Sequence, residues 1–139
     1  MDSEKHAYIG VDAIIRNSDG KILLMKRNVE PYKGYWGLIT GLVKANENVD
    51  EALKRVAGEE VGIDIVVDKY TGRYYDEVGR HPTKTCICLP HVCRVLSGEP
   101  QPLKKCDEVR WFSPEEIYDM DLAYDHKQML EDEGLILIY

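Results

Sequence analysis

The sequence predicts an α+β fold in a single domain, in which helices pack on a mixed β-sheet. β-rich segments open the chain, one well-capped helix interrupts them near the middle, and helical patterns return only near the end. The length of 139 residues is that of one typical domain, and no repeat, low-complexity tract or linker divides it. We therefore expect one domain over residues 1–139.

The first strands are predicted where β-branched and large apolar residues dominate, over residues 6–16 and 21–26. Residues 17–20 lie between them and end in a glycine, which suits the left-handed position of a hairpin turn. A β-hairpin is therefore expected. Residues 27–35 have the proline and glycine content of a loop, and residues 36–39 form a short strand.

The central helix has clear start and stop signals. Asn48 is followed three residues later by Glu51, which is the spacing of a capping box, and Gly62 supplies the stop. The helix is therefore predicted over residues 49–61, about three and a half turns.

Further strands and two short helices are predicted after it. The strands are expected within residues 63–78, 85–96 and 108–112. Pro90 indicates a bulge or an edge position in the second of these segments. Ser113 and Pro114 are typical of a helix N-terminus, and Asp125 is expected to cap a last helix that runs to about residue 133.

Composition and charge exclude several functions. The chain has 18 Lys and Arg against 25 Asp and Glu, a formal net charge of −7 and a pI near 5.1. This charge opposes non-specific attraction to a polyanion, so general nucleic-acid binding is not expected. An acidic protein that binds a small phosphate compound needs a divalent cation between carboxylates and phosphate oxygens.

The cysteine spacing and the hydropathy point to a cytoplasmic protein. Cys86, Cys88, Cys93 and Cys106 have no paired CxxC spacing, and no export signal precedes them, so reduced thiols are expected. No apolar run approaches the ~20 residues of a membrane span, and no membrane association is predicted.

One helix has a pattern that structure alone explains poorly. Its predicted core-facing positions are Val49, Ala52, Leu53, Val56, Ala57 and Glu60. Glu60 ends this otherwise apolar stripe, where a lone carboxylate is costly unless it is paired or bound to a metal. Alternatively, the last turn rotates into solvent and Arg55 contacts Glu59 four residues on. The combined spacing favours a functional interpretation and involves Gly41, Glu47, Arg55, Glu59, Glu60 and Gly62.

Residues 41–63 resemble the Nudix hydrolase signature. The stretch GLVKANENVDEALKRVAGEEVGI fits every defined position of that signature except one, where Val56 stands in place of glutamate. The flanking segments ILLMKR, PYKGYW, EVRWFSPEEI and LAYDHKQML are also similar to those of Nudix proteins, so the resemblance covers most of the chain.

The resemblance implies an α/β/α sandwich around a mixed sheet and a pyrophosphohydrolase that uses Mg²⁺ or Mn²⁺. The substrate would be a nucleoside diphosphate linked to another moiety. Glu59, Glu60 and the Gly41 carbonyl would be metal ligands, and Arg55 with Glu47 would orient the carboxylates. Many Nudix proteins are dimers, so the resemblance also allows a homodimer.

Val56 leaves three interpretations. In the first, a carboxylate outside the signature completes the metal site; Glu108 is the leading candidate, with Asp76 or Glu77 behind it. The second is glycosyl cleavage as in GDP-mannose mannosyl hydrolases, which would need a histidine base such as His81 or His91. The third is a catalytically impaired domain that binds a nucleotide-type ligand.

Lys26 and Arg27, at the end of the second strand, are the predicted substrate-binding residues. Tyr32 and Tyr35 are candidates for stacking on a base. The resemblance of LAYDHKQML to the ends of ADP-ribose-type Nudix proteins favours a nucleoside diphosphate sugar.

Overall fold

A computed structural model of the chain describes residues 6–136. Residues 1–5 lie outside this range, so the prediction that the chain begins without an export signal falls largely on residues that are not described. The elements in chain order are β1 (Tyr8–Ile15), β2 (Ile22–Arg27), β3 (Trp36–Gly37), β4 (Ile39–Leu42), α1 (Val49–Val61), β5 (Asp64–Tyr70), β6 (Tyr75–Glu77), β7 (Cys86–Ser97), β8 (Cys106–Phe112), α2 (Pro114–Tyr118) and α3 (His126–Asp132).

The strands form two sheets between two layers of helix. The larger sheet has the order β4-β1-β7-β5, and β6 pairs with β7 beyond the end of β5. Its β1–β7 pair is parallel and its other pairs are antiparallel. The smaller sheet has the order β3-β2-β8 and is antiparallel. The predicted α+β fold with a mixed sheet is confirmed.

Two hydrophobic cores lie on the two sides of these sheets. Leu23 and Met25 of β2 face the core that α1 covers, while Ile22 and Leu24 face the core that contains residues of α2 and α3. All four side chains are at most 1% exposed. Burial of both faces of a central strand explains why its sequence is continuously apolar.

The predicted turn between β1 and β2 is present. The predicted β-hairpin is wrong, because β1 and β2 do not pair along their length. Gly20 has a φ of 75°, and the Asn17 N–H donates to the Lys21 carbonyl. Beyond an Arg16–Ile22 bridge the two strands separate into different sheets. The reason is that β4 and β7 already occupy the two edges of β1. The predicted strand over residues 36–39 is likewise divided between the two sheets.

Helix α1 is confirmed at both ends. The Asn48 side chain accepts from the Glu51 N–H, the Glu51 side chain accepts from the Asn48 N–H, and Gly62 ends the helix with a φ of 71°. Its buried face is Ala52, Leu53, Val56, Ala57, Glu60 and Val61, and Val49 packs partly buried against the same core. The predicted burial of Glu60 is therefore correct.

A bulge or an edge position was predicted at Pro90, and the edge position is wrong, because β7 is an inner strand. Proline has no N–H to donate to a neighbouring strand. At Pro90 the partner of β7 on this side changes from β6 to β5. β6 pairs with residues 86–88 of β7, and β5 pairs with residues 91–97. The Thr71 hydroxyl donates to the Pro90 carbonyl between them.

The C-terminal helices begin at the predicted residues. Ser113 forms a capping box with Glu116 at the start of α2. Asp125 occupies the N-cap position of α3, but its side chain makes no capping hydrogen bond, because the carboxylate binds Arg80. None of the helices in residues 6–136 is long and apolar enough to cross a membrane.

Candidate active site

Arg55 organises the segment that joins β4 to α1. Its Nε donates to Glu47 Oε2 at 2.7 Å, its Nη1 to Glu59 Oε1 at 2.7 Å and its Nη2 to the Leu42 carbonyl at 2.7 Å. One guanidinium thus binds the loop before the helix, the helix itself and the end of β4. This is the fixed fork of donors that makes arginine suited to multiple carboxylates.

The charges in this network favour its ionised form. The hydrogen bond from Arg55 lowers the pKa of Glu47 from 4.5 to about 2. The same guanidinium lowers the pKa of Glu59, and the two carboxylates raise the pKa of Arg55. Glu59 therefore lies in an ion pair on the rim of the helix, and its side chain is 38% exposed.

Glu60 lies in a different environment from its neighbour. It is 7% exposed, and its Oε2 is a buried oxygen without a hydrogen-bond partner among the described residues. Burial raises the pKa of its carboxyl, and the positive charge of Lys105 opposes that rise. A buried carboxylate oxygen without a partner is unusual in a folded protein and marks a place where a cation is favourable.

Val56 packs directly against Gly41. A Cβ built on Gly41 would lie 2.6 Å from Val56 Cγ2, closer than side-chain atoms approach one another. Val56 itself is 3% exposed. Position 56 therefore contributes an apolar contact between α1 and β4, and the absence of a side chain at Gly41 allows that contact.

Gly41 and Glu60 border a cleft of about 360 Å³. Basic and acidic side chains both line it, among them Arg27, Glu77, Arg80, Lys84 and Lys105. Glu77 is 5% exposed and accepts from the Cys88 thiol and from the Asp125 N–H. Burial raises the pKa of the Glu77 carboxyl.

Tyr124, which lines the cleft, and Tyr32, which packs on it, hold the loops of the cleft in place. The Arg27 guanidinium lies 5.1 Å from the centre of the Tyr124 ring, and its Nε donates to the Pro31 carbonyl at 2.9 Å. Tyr32 packs on Tyr124 with ring centres 4.8 Å apart. Arg80 donates to the Tyr32 hydroxyl at 2.9 Å and binds the Asp125 carboxylate. The loop after β2 and the segment before α3 are thereby joined at the cleft.

The structure does not bring every predicted residue to the cleft. Lys26 and Glu108 face each other across the β2–β8 pair, with Lys26 Nζ 3.8 Å from Glu108 Oε2, and neither lines the cleft. The reason is strand alternation, since consecutive residues point to opposite faces and Arg27 takes the cleft side. Of the two histidines considered, His81 lines the cleft, whereas His91 packs on Tyr70.

A buried polar network behind β4 was missed by sequence reasoning. The Leu38 N–H donates to His126 Nδ1 at 3.0 Å, so the neutral ring carries its proton on Nε2, which faces Asp12 Oδ1 at 3.2 Å. The Thr40 hydroxyl donates to the same Asp12 oxygen at 2.9 Å. This network fixes the strand that carries Gly41. An aspartate inside the apolar run of β1 was the available signal.

The residues present fit a divalent cation that is shared with a phosphate-containing substrate. Mg²⁺ binds through one or two protein carboxylates and completes its coordination with water and phosphate oxygens. Glu60 supplies a buried carboxylate, and Gly41 lies on the same cleft. Within residues 6–136 no three His, Cys, Asp or Glu side chains are grouped around one metal position.

Comparisons with known proteins agree on one family. The NUDIX domain matches residues 7–132. An ADP-ribose pyrophosphatase of Methanocaldococcus jannaschii is 34% identical over 131 residues, which are 91% of this chain and 73% of that protein. The nucleoside triphosphatase NudI of Escherichia coli is 29% identical over 135 residues, 88% of this chain and 94% of the relative. A crystal structure of a MutT protein from Methanosarcina mazei Go1 has a TM-score of 0.80 at 26% identity, covering 92% of this chain and 93% of the other.

Proposed function

This chain belongs to the Nudix family, and from that premise we propose that its cleft hydrolyses a nucleoside diphosphate linked to a second moiety, with a divalent cation at Glu60. The observation that carries the proposal is the Glu60 carboxylate, which is buried, has a partnerless oxygen and lies beside Gly41 in the Nudix segment. A purely structural residue at this point of an apolar helix face would be apolar.

The proposed ligands of the ion are the Glu60 carboxylate and the Gly41 carbonyl, and Glu59 is the neighbouring carboxylate. These hard oxygen ligands suit Mg²⁺, and Mn²⁺ takes the same donors. When bound, the ion would neutralise charge on the diphosphate and stabilise the charge that develops during attack by water.

The chain's own residues orient this site. Arg55 holds the Glu47 loop, Glu59 and the Leu42 carbonyl in one arrangement. Thr40, on the other side of Gly41, is fixed by its hydrogen bond to Asp12. The carbonyl of Gly41 therefore lies between two anchored points of the backbone, and such preorganisation favours metal and substrate binding.

The cleft favours a nucleoside diphosphate sugar as substrate. Arg27, Arg80, Lys84 and Lys105 line it, and together they would attract two linked phosphates. Its volume of about 360 Å³ is within the range of pockets for small ligands. The Methanocaldococcus jannaschii relative is an ADP-ribose pyrophosphatase, which supports the same substrate class.

A second candidate reaction is cleavage at the sugar carbon, and His81 is the observation that favours it. His81 lines the cleft, and burial together with the positive charge of Lys84 lowers the pKa of its imidazole. A neutral imidazole can accept a proton from water at pH 7. Cleavage at carbon would release an intact nucleoside diphosphate and a free sugar.

The experiment is hydrolysis in ¹⁸O-labelled water with Mg²⁺ of ADP-ribose and of nucleotide sugars whose diphosphate is joined to the anomeric carbon, such as GDP-mannose, with nucleoside triphosphates as further substrates. The proposal predicts a nucleoside monophosphate and a sugar phosphate, with the label on phosphorus. Label on the sugar carbon would favour the His81 reaction. Glu60→Gln controls for a contaminating hydrolase, and no metal-dependent turnover of any substrate would contradict both reactions.

The four free cysteines support a reducing, cytoplasmic location as a further part of the proposal.

A further inference from the structure

Two cysteines share the floor of the cleft. Cys86 and Cys88 are separated by one residue on β7, so their side chains lie on the same face of the sheet, and both line the cleft. A Cβ built on Gly10 of β1 would lie 3.1 Å from Cys88 Sγ and 3.7 Å from Cys86 Sγ. Both sulfur atoms therefore border the same space, which Gly10 leaves open.

The two thiols interact with each other. The neighbouring Cys88 thiol lowers the pKa of Cys86, and Lys84 on the same cleft adds a positive charge in the same direction. The same interaction and burial raise the pKa of Cys88, whose thiol also donates to Glu77 Oε1 at 3.2 Å. The first proton of the pair is therefore released more readily than the second, as in other coupled sites.

The remaining two cysteines lie elsewhere. Cys93 is 1% exposed and Cys106 is 5% exposed, and both belong to the core that α1 covers. Burial raises the pKa of both thiols, to about 12 for Cys93. Cys88, at 3% exposure, is as buried as they are, but Cys86 and Cys88 line the cleft and Cys93 and Cys106 do not, so the latter two are controls matched in chemistry and different in location.

We propose that Cys86 and Cys88 form a dithiol site on the cleft floor that binds one thiophilic metal or metalloid ion. Thiolates select soft ions over the hard cations that carboxylates prefer. The proposed ligands are the two sulfur atoms, and no group of three or more His, Cys, Asp or Glu is placed to hold a metal within the described part of the chain. A bound ion occupies the space above Gly10 and closes the cleft to nucleotide; this consequence rests on the proposed function, whereas the binding does not.

Phenylarsine oxide is the probe. Two As–S bonds form, the arsenic–oxygen bond breaks, and the two thiol protons leave with that oxygen as one water molecule. Arsenic stays trivalent, so the reaction needs neither an oxidant nor a reductant. Two thiols directed to one space are required for this ring to close.

The test is intact-mass analysis of the phosphine-reduced protein after incubation with phenylarsine oxide. One phenylarsenic group per chain is expected for the wild type, C93S and C106S, and at least tenfold weaker labelling for C86S and C88S. Undiminished labelling of either folded variant, C86S or C88S, would overturn the site, as would loss of labelling in C93S. Thermal unfolding checks that each variant is folded. Cys86 is only half-buried, so C86S should fold even if C88S does not, and C86S then decides the result.

A second measurement separates this site from the proposed function. Labelling should abolish nucleotide hydrolysis, and a small dithiol that removes the arsenical should restore it. Full activity of a labelled chain would overturn closure of the cleft. If the unlabelled protein shows no turnover, the proposed function fails, while the mass result still decides whether the dithiol site exists.

Discussion

At the residue scale, the contrast between Glu59 and Glu60 carries the functional argument. The two carboxylates are adjacent on α1, yet the pKa of Glu59 is lowered by Arg55 and the pKa of Glu60 is raised by burial. Glu59 already has its cationic partner in the protein. Glu60 has a buried oxygen with no hydrogen-bond partner in the described residues, as Asp12 also has, but Glu60 lines the cleft, so of the two adjacent carboxylates it is the one on which a divalent cation has more effect.

Glu60→Gln should separate metal binding from folding. The amide keeps the shape of the side chain and removes a buried charge, so the metal-free variant should melt at or above the wild-type temperature at pH 7. Mg²⁺ with substrate should raise the melting temperature of the wild type and of Asp50→Asn, an exposed change in the first turn of the same helix. An equal Mg²⁺-dependent rise in Glu60→Gln would argue against Glu60 as a ligand.

Glu77 and Glu108 give a second comparison at this scale. Glu77 lines the cleft, whereas Glu108 pairs with Lys26 outside it. We expect Glu77→Gln to raise the KM for a nucleotide sugar by roughly tenfold or more, because the carboxylate that lines the cleft and accepts from the Asp125 N–H is lost. Glu108→Gln should leave both kcat and KM within about twofold, as for an exposed ion pair. Steady-state kinetics of the two variants shows which glutamate matters for turnover. A loss of activity confined to Glu108→Gln would favour Glu108, the leading candidate from the sequence, as the additional metal ligand.

At the element scale, the contact between α1 and β4 determines the position of Gly41, whose carbonyl is a proposed metal ligand. Val56 and Gly41 form that contact, and Arg55 adds a hydrogen bond to the Leu42 carbonyl. At position 56, where the Nudix signature has a glutamate, Val56 makes an apolar contact with Gly41. Strand and helix are held together at this point without a third carboxylate.

A double-mutant cycle tests the packing. Gly41→Ala should destabilise the fold by about 1–3 kcal/mol, since its Cβ would overlap Val56. Val56→Ala alone should cost roughly 2 kcal/mol through lost burial. The double variant should be more stable than the sum of both losses predicts, by about 1 kcal/mol, in urea unfolding. Simple additivity would show that the two residues do not share this contact.

The ion-pair network of the helix predicts an acid dependence. The pKa of Glu47 is lowered to about 2, so its contribution to stability is complete above pH 4.5 and is lost as pH falls towards 2. The difference in free energy of unfolding between wild type and Glu47→Gln should therefore shrink over that range. Glu99→Gln, at an exposed position, is the control and should show little difference at any pH. A difference that stays constant down to the acid limit would contradict the ion pair.

At the scale of the whole molecule, local sequence signals predicted the individual helices and strands. Which strands pair with one another depends on tertiary contacts that these signals do not contain. Helix α1 was predictable because its cap, its apolar stripe and its terminal glycine lie within residues 48–62. The separation of β1 and β2 into two sheets was not, because it depends on β4 and β7 pairing with β1. Strand register likewise determined that Glu108 faces Lys26.

In the candidate site, too, local features could be predicted from the sequence and tertiary contacts could not. Burial of Glu60 and the Arg55 contact to Glu59 could be predicted from spacings of three and four on one helix. The Asp12–His126 contact joins β1 to the first residue of α3, and no local pattern relates those positions. The cleft is therefore a property of the assembled sheets, which bring Arg27 and Glu77 to the helix that carries Glu60.

The central claim is that this cleft is a metal-dependent hydrolytic site in spite of Val56, and turnover by Glu60→Gln tests it most directly. With Mg²⁺ and a nucleotide sugar, kcat/KM of Glu60→Gln should fall by at least about 100-fold, whereas Asp50→Asn should match the wild type. Equal turnover by the wild type and Glu60→Gln would contradict the account and place the chemistry elsewhere in the molecule.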